Sequence, residues 1–248
     1  EIDIHAGGED LVFPHHENEI AQSEAANGKP FARYWMHNAF LNIDNKKMSK
    51  SAGNFFTVRD IVAKYDPQVV RFFMLSAHYR SPLNFSDELM EAAKNGLDRI
   101  RTAVTNLNFL LEKAEDREKS QEEIKLLEEA TGFAAKFDEA MDDDLNTADA
   151  IAAIFELVKF INTNASADNS AAYIRELLNE IKELSDVCGL IVEKKEEMLD
   201  SSVEALIEER QAARKAKNFA RADEIRDELL AKGIILEDTR EGVKWKRA

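Results

Sequence analysis

The sequence predicts a mostly α-helical chain with a small α/β part at its N-terminal end. From Thr57 onward, apolar residues recur three and four positions apart through most of the chain, which is the spacing of helices with one buried face. Runs of β-like sequence occur before that point, where they flank a lysine-rich loop, and again in a short hairpin near the C-terminus. A small mixed region followed by a large helical region is therefore predicted.

Length and composition indicate a soluble globular protein. At 248 residues the chain can form one or two domains with a substantial core, and 44% of its residues are hydrophobic and 33% charged. It contains no apolar run of about eighteen residues, so no membrane partner is expected. The single cysteine, Cys188, excludes an intramolecular disulfide and fits a reducing, cytoplasmic location.

The charge distribution sets the tail apart from the rest of the chain. The net charge of −15 argues against a general polyanion binder. The stretch 203–248 holds eleven Lys/Arg and ten Asp/Glu, a net charge of +1, which leaves −16 for the remainder. Any contact with RNA is therefore expected in a local patch of the tail.

The first eight residues alternate acidic and apolar side chains and predict a short strand that leads into a loop. Gly7 and Gly8 would allow a ligand to approach the backbone closely, and the Asp10 carboxylate could accept hydrogen bonds from ribose hydroxyls. An ordinary turn has the same composition, so both interpretations stay open at this point.

A helix is predicted over residues 14–26, because Pro14 suits the first helical position and the stretch 27–30 is a clear stop. His15 and Glu19 lie four residues apart and share a helix face, where an imidazole and a carboxylate can chelate zinc. They can equally form a simple histidine–glutamate pair. Zinc needs about four ligands, and the chain offers no convincing further pair.

A lysine-rich loop over residues 45–54 follows an aromatic-rich stretch, 31–43, which predicts a core strand with His37 as a satisfied polar residue. The loop combines lysines with small side chains and precedes a helix start, so its backbone N–H groups can receive an anion. Lysine ammoniums can neutralise a phosphate chain where charge develops in a transition state. A solvated turn is the alternative.

The helical region predicts an antiparallel bundle, because long helices are joined by short links. Apolar spacing and caps place helices at 58–65, 67–77, 86–112, 121–141, 148–165 and 171–188. Asp142, Asp143 and Asp144 could bind a hard cation, but Asn146 and Thr147 more simply cap the next helix.

The tail predicts a small unit of two helices and a hairpin after a charged linker at 193–200. The helices are expected at 203–216 and 220–231, and the hairpin strands at 234–238 and 243–246. Positive charge at Arg214, Lys215, Lys217 and Arg221 alternates with the ring of Phe219. Phe219 could stack on an unpaired base, Arg214 could donate to one, and Asp223 and Asp238 could accept from base amino groups. A solvated charged helix with Phe219 as its core anchor is the alternative.

The motifs point to a known family. Lys47-Met48-Ser49-Lys50-Ser51 resembles the second signature of class I aminoacyl-tRNA synthetases, and His15-His16-Glu17-Asn18-Glu19 narrows the resemblance to the cysteinyl-tRNA synthetases. The tail resembles the family's anticodon-recognition unit, with Phe219 where the family often has tryptophan. The resemblance covers essentially all of the chain. It implies the second half of a Rossmann-like catalytic domain at 1–85, an antiparallel helical bundle at 86–192, and a linker with a small anticodon-recognition domain at 193–248.

The resemblance also implies a reaction and its ligands. In this family ATP, with Mg²⁺, activates L-cysteine as an adenylate, and the cysteinyl group then moves to the end of tRNA(Cys). Lys47 and Lys50 would be catalytic. The ATP site would comprise Gly7, Gly8, Asp10, Lys47, Met48, Ser49, Lys50 and Ser51. The anticodon would be read by Arg214, Phe219, Asp223 and Asp238.

The metal expected from the resemblance is zinc, bound by His15 and Glu19 together with two cysteines that would precede Glu1. At best half of the zinc site is therefore expected here. The first half of the nucleotide-binding domain would also precede Glu1, so we expect a part of a longer monomeric enzyme that binds tRNA but is inactive alone. The alternatives are a ligase that joins cysteine to a sugar amine, against which Arg214 and Asp223 argue, and a non-catalytic tRNA-binding module.

Overall fold

The computed structural model of the chain describes residues 1–43, 46–48, 56–193, 201–216, 218–239 and 242–247. The chain is mostly helical and packs as two compact units, residues 1–194 and 195–248. The helices are α1 (Glu17–Asn27), α2 (Val58–Lys64), α3 (Pro67–Leu75), α4 (Asp87–Lys113), α5 (Gln121–Asp142), α6 (Thr147–Asn164), α7 (Ala171–Val187), α8 (Ser201–Lys215) and α9 (Phe219–Ala231). The strands are β1 (Ile2–Gly8), β2 (Ala32–Asn38), β3 (Leu41–Ile43), β4 (Lys46–Lys47), β5 (Leu83–Phe85), β6 (Ile234–Thr239) and β7 (Gly242–Arg247). None of the helices in these ranges combines the length and apolar character that a membrane span requires.

The first unit opens with a two-stranded parallel sheet. β1 and β2 pair in parallel with Gly7 opposite His37, and α1 connects them. The stretch 31–43, predicted as one strand, is instead two strands in different sheets, because β3 pairs with β4 and β5. Between β2 and β3, the backbone N–H of Ala39 donates a hydrogen bond to the carbonyl oxygen of Tyr79 at 2.9 Å. This bond links the connection between the two strands to the segment that leads into β5.

The helical backbone predicted to begin at Pro14 does so, although the α-helix proper, α1, begins at Glu17. Residues 12–16 form a π-helical turn in which Phe13 is extended, at φ −138° and ψ 133°. An extended conformation is what the ring of a following proline favours at Phe13, and the helical backbone begins directly after it, at Pro14. The predicted stop is confirmed: Gly28 is left-handed (φ 62°) at the C-terminal end of α1.

The second sheet has the order β4-β3-β5 and carries the start of the lysine-rich stretch on its edge strand. β3 runs antiparallel to β4 and parallel to β5. The two helices that follow are locally capped. Thr57 and Asp60 form a reciprocal capping box at α2, and Asp66 accepts from the backbone N–H of Gln68 at α3.

Helices α3 to α7 share one hydrophobic core. α4 packs against α3, α6 and α7, and α5 packs against α6 and α7. The predicted caps are present, since Ser86 accepts from the backbone N–H of Leu89 and Asn146 from that of Asp149. Large side chains buried in this core include Met90, Leu97, Ile100, Leu107, Phe137, Ile154, Leu157, Tyr173 and Ile181.

The second unit is the predicted pair of helices with a hairpin. β6 and β7 pair antiparallel, and α8 packs against α9 and α9 against β6. Asn218 caps α9 by accepting from the backbone N–H of Arg221. The core of this unit comprises Val203, Ile207, Ile225, Leu229, Ile234 and Leu236.

Candidate functional site

The Glu19 carboxylate lies at the centre of a histidine cluster formed by His5, His15 and His16. His5 Nε2 is 2.8 Å from Glu19 Oε2, His15 Nε2 is 3.5 Å from Oε1, and His16 Nε2 is 4.0 Å from Oε2. Strand β1 supplies His5, the π-helical turn supplies the other two histidines, and the first turn of α1 supplies Glu19. Three imidazoles from two elements therefore converge on one carboxylate.

His16 is the buried member of the cluster, with 3% of its surface exposed. Its Nδ1 lies 2.8 Å from Nε2 of His37 on β2, and its ring packs near those of His5 and Trp35. Burial, followed by the nearby His5 and His37, lowers the pKa of His16, while Glu19 opposes the shift. A lowered pKa favours the neutral imidazole of His16, in which one ring nitrogen has a lone pair that can accept a hydrogen bond.

The sequence analysis found His15 and Glu19 but missed His5, His16 and His37. The sequence offered no convincing further pair of ligands, whereas in the fold His5 and His16 also lie near Glu19. His5 and His37 reach the cluster through the parallel pairing of β1 with β2, where Gly7 faces His37 and His5 faces Trp35. Each of the two strands contains one histidine, His5 in β1 and His37 in β2, and this local signal has meaning only once the strands are paired.

These donors fit zinc. His5, His16 and Glu19 each offer a ligand atom, and those atoms all lie within 4.8 Å of one another. Imidazole nitrogen and carboxylate oxygen are both ordinary zinc ligands, and a neutral imidazole is the form that binds a metal. Cys188 does not join them, because it is buried in the helical core.

The glycines predicted to approach ATP have close protein neighbours. A Cβ on Gly7 would lie 2.9 Å from His16 Cε1, and a Cβ on Gly8 would lie 2.6 Å from Asp10 Oδ1. The missing side chain at Gly7 thus makes room for the buried imidazole. Asp10 itself is exposed in the short 3-10 turn that follows β1.

The lysine-rich motif is only partly described. Lys47 lies on β4 opposite Asn42, and Met48 follows as a half-buried residue. Ser49, Lys50 and Ser51 lie outside the described residues, so the predicted anion-binding loop stays a prediction. Strand β3, which precedes the lysine motif, is paired on both sides, with β4 and with β5.

A polar cluster around Asp144 joins the turn between α5 and α6 to the residues before β5. Tyr79 Oη donates to Asp144 Oδ1 at 2.8 Å, and Arg80 Nε lies 2.8 Å from Oδ2. His78 Nε2 is 3.0 Å from the Asp144 carbonyl oxygen. The predicted preference for capping over cation binding agrees with this geometry, because Asp144 is engaged by protein groups and Asn146 caps α6.

Three of the four predicted RNA-binding residues in the second unit have exposed side chains. Phe219 is 61% exposed at the start of α9, so the alternative in which it anchors the core is wrong. Arg214 on α8 and Asp223 on α9 are also exposed, and Asp238 lies on β6 opposite Val243. Arg221 is held by Glu209 at 2.9 Å and by Glu224 at 3.1 Å.

Three models of protein families match the chain in succession. They are the class I (C) tRNA synthetase catalytic domain over residues 1–95, the DALR domain over 136–193 and the cysteinyl-tRNA ligase anticodon binding domain over 196–245.

Curated relatives with high identity carry the name cysteine–tRNA ligase. The protein from Lachnospira eligens is 70% identical over 100% of this chain and 52% of its own length. The protein from Lachnoclostridium phytofermentans is 62% identical over 100% and 54%, and that from Clostridioides difficile is 54% identical over 99% and 53%. The chain thus spans about half the length of the curated relatives it matches.

Solved structures of other synthetases share the fold. Agrobacterium radiobacter LeuRS, in a ternary complex with tRNA and LeuAMS, matches 77% of this chain and 28% of its own at 19% identity and a TM-score of 0.57. Mycobacterium tuberculosis methionyl-tRNA synthetase, in complex with methionyl-adenylate, matches 75% of this chain and 40% of its own at 19% identity and a TM-score of 0.55. At this identity the likeness concerns the fold alone.

Proposed function

The chain belongs to the cysteine–tRNA ligase family, and on that premise we propose that it supplies the lysine motif, the histidine cluster and the anticodon-recognition unit of such an enzyme. The reaction proposed for the whole protein is ATP-dependent activation of L-cysteine as an adenylate, followed by transfer to tRNA(Cys). Identity of 70% to a curated cysteine–tRNA ligase across the full chain carries this proposal. Since the relatives are about twice as long, other residues must complete the reaction centre.

The cysteine end of the reaction is proposed to lie at the histidine cluster. His15 and Glu19 would hold zinc, with His5 and His16 within reach of the same carboxylate. Zinc bound there would supply a soft ligand site for the thiolate of cysteine, for which a serine hydroxyl competes poorly. His37 would orient His16 through the 2.8 Å contact between their ring nitrogens.

ATP is proposed to bind between the first strand, β1, and the lysine motif. Lys47 and Lys50 would stabilise the charge that develops on the triphosphate, with Met48, Ser49 and Ser51 completing the loop. Gly7, Gly8 and Asp10 would face the adenosine, although the absence of side chains at the glycines also accommodates His16 and Asp10. Mg²⁺ would accompany ATP as its counterion.

The RNA end is proposed to lie in the second unit. The observation that carries it is the exposure of Phe219, which gives an acidic protein an exposed aromatic face in the same unit as the exposed side chains of Arg214 and Asp223. Phe219 would stack on an anticodon base, Arg214 would donate to a base edge, and Asp223 and Asp238 would accept from base amino groups. Because phenylalanine has no N–H, this ring can stack but cannot donate a hydrogen bond.

The remaining expectations are part of the same proposal. A catalytic part at 1–85, a helical bundle at 86–192 and an RNA-reading part at 193–248 would be arranged along a monomeric cytoplasmic enzyme. The relatives are named cysteine–tRNA ligases, and nothing in them favours a ligase for a sugar amine or a purely non-catalytic module.

RNA binding by the 248-residue chain tests the proposal directly. The chain should bind the anticodon stem–loop of tRNA(Cys) more tightly than versions with altered anticodon bases. Phe219→Ala should cost about 1–3 kcal/mol for the lost stacking on a base. Arg214→Ala should cost a similar ~1–3 kcal/mol and relax the choice of one base.

Phe13→Ala provides the matched control, because Phe13 is also an exposed phenylalanine, at 76%, in the first unit. It should leave RNA affinity unchanged. If the chain does not discriminate between anticodons, or if Phe219→Ala and Arg214→Ala discriminate as the parent does, anticodon reading by this unit is refuted.

A further inference from the structure

Four exposed residues of α9 form a continuous stripe along the helix. Phe219, Asp223, Arg226 and Leu230 are spaced four, three and four residues apart, which places them within about 60° of one another around the helix axis. All four side chains are exposed, Phe219 at 61% and Leu230 at 54%. The buried face of α9, formed by Ala222, Ile225 and Leu229, lies to one side of this stripe.

The cations of α9 are not equivalent. Arg221 is held by Glu209 and Glu224, and Lys232, just beyond the helix, lies 3.0 Å from Glu228. Arg226 has no ion pair with any residue in the described ranges, although it is exposed on the same helix. A guanidinium without an internal partner can bind a phosphate without first breaking an ion pair.

We propose that the RNA-binding surface extends along α9 beyond the predicted anticodon-reading residues, with Arg226 contacting a backbone phosphate and Leu230 contacting a nucleotide next to the anticodon. This inference rests on the proposed RNA-binding function of the second unit. From Phe219 to Leu230 the helix rises about 16 Å, which matches roughly five stacked nucleotides of one strand. The stripe is therefore longer than three anticodon bases require.

The division of roles follows from the side chains. Phe219 and Asp223 offer a stacking face and an acceptor, which are groups that read bases. Arg226 offers charge to a phosphate, which positions the strand and carries no sequence information. In a chain with a net charge of −15, a cation on this face that has no ion pair among the described residues adds to the attraction of RNA. Leu230 can cover the apolar face of a base or ribose at the end of the stripe.

The test measures the affinity of the 248-residue chain for the labelled anticodon stem–loop of tRNA(Cys) by fluorescence anisotropy at several salt concentrations. Arg226→Ala should weaken binding about five- to tenfold for cognate and anticodon-altered RNA alike. The slope of log affinity against log salt should become shallower by about 0.7, the value for one phosphate contact with single-stranded RNA. Arg226→Lys should keep most of that slope, because lysine also neutralises a phosphate.

Leu230→Ala should weaken binding several-fold with an unchanged salt slope, because it removes no charge. Arg221→Ala is the matched control, since Arg221 lies about 200° round the helix from Phe219 and is already paired. It should change the affinity less than twofold. Far-ultraviolet circular dichroism of each variant verifies that α9 remains folded.

The outcomes separate this inference from the function on which it rests. If the parent discriminates anticodons but Arg226→Ala and Leu230→Ala bind as the parent does, the extended stripe is refuted and anticodon reading stands. If Arg226→Ala loses affinity only for the cognate anticodon, Arg226 reads a base and the phosphate assignment is wrong. If the parent chain does not discriminate anticodons, the proposed function itself fails.

Discussion

Glu19 shows how one residue can gather a site from distant parts of the chain. Its two carboxylate oxygens face His5 from β1 and His15 and His16 from the turn before α1. The local spacing of residues 15 and 19 predicts one pair, whereas the folded chain provides three imidazoles. Because none of the described donors is a thiolate, the cluster should bind zinc more weakly than a site completed by cysteines.

Zinc titration of the 248-residue chain should therefore show weak binding, in about the micromolar range or weaker, that depends on this cluster. Glu19→Gln should lower the affinity at least about tenfold, because it removes the anionic ligand shared by the histidines. His78→Ala is the matched control, since His78 lies outside the cluster and contacts Asp144 instead. Tight stoichiometric zinc in the parent, or equal affinity in Glu19→Gln, would contradict the assignment.

Glu123 is a second residue with unusual electrostatics. It is 3% exposed and accepts hydrogen bonds from Arg117 at 3.0 Å through both oxygens and from the backbone N–H groups of Ser120 and Ser170 at 2.7 Å. Burial by itself would raise the pKa of Glu123, but the hydrogen bonds outweigh it and lower the pKa to about 2. The residue thus caps α5 and joins it to the start of α7.

A carboxyl group whose pKa is lowered by folding stabilises the fold only while it is ionised. The stabilisation by Glu123 should be complete above its ordinary pKa of 4.5 and disappear as the pH falls from about 4.5 to about 2. Glu123→Gln should lower the free energy of unfolding by about 2–3 kcal/mol at pH 7 and flatten its pH dependence in that acid range.

Urea unfolding at several pH values measures both effects. Glu122→Gln is the matched control, because Glu122 is the exposed neighbour in the same helical turn, and it should change stability by less than about 0.5 kcal/mol. If the free energy of unfolding falls equally at acid pH in the parent and in Glu123→Gln, other carboxylates must cause that fall.

At the scale of elements, the turn between α5 and α6 combines an unfavourable backbone conformation with side-chain contacts to a distant part of the chain. Asp144 and Leu145 both have φ 57°, a left-handed conformation that is costly for residues with a Cβ. Asp144 is held there by Tyr79 and Arg80, and the Tyr79 carbonyl accepts from the N–H of Ala39 just before β3. The turn therefore connects the helices with the sheet that carries the lysine motif.

Two glycine substitutions separate backbone strain from side-chain contacts at this turn. Leu145→Gly should leave the free energy of unfolding unchanged or raise it by up to about 1 kcal/mol, because it relieves the left-handed strain. Asp144→Gly relieves the same strain but loses the contacts with Tyr79 and Arg80, so it should lower stability. Chemical unfolding of the two variants provides the comparison, and a stabilising Asp144→Gly would mean that those contacts contribute little.

At the scale of the whole molecule, charge is unevenly distributed along the sequence. The acidic net charge lies outside the tail, and the lysine motif places positive charge where ATP is proposed to bind. Catalysis can be tested only in a ligase of the relatives' full length, because the chain spans about half of them.

In such a full-length enzyme, Lys50→Ala should lower the rate of adenylate formation by about 10²-fold or more, the scale of one electrostatic contact in the transition state. Pyrophosphate exchange measures this step without tRNA. Lys46→Ala is the matched control, since Lys46 lies exposed on β4 and should have little effect. Unchanged exchange in Lys50→Ala would remove the loop from the mechanism.

The sequence by itself determined what depends on neighbours within a few residues. Helix spacing, the caps at Ser86 and Asn146, and the hairpin that closes the chain all rest on local hydrogen bonds and apolar periodicity. The family was also recognisable from short contiguous motifs, since their chemistry requires a fixed order of residues.

Only the tertiary structure decided what depends on strand pairing and burial. His5 joins the histidine cluster, and His37 contacts His16, because β1 pairs with β2 across about thirty residues. Asp144 meets Tyr79 across 65 residues. The split of 31–43 into two strands, and the exposure of Phe219, were likewise set by the surrounding packing. A linear pattern records which side chains are available, but the long-range contacts that bring them together are determined by the burial of apolar surface throughout the chain.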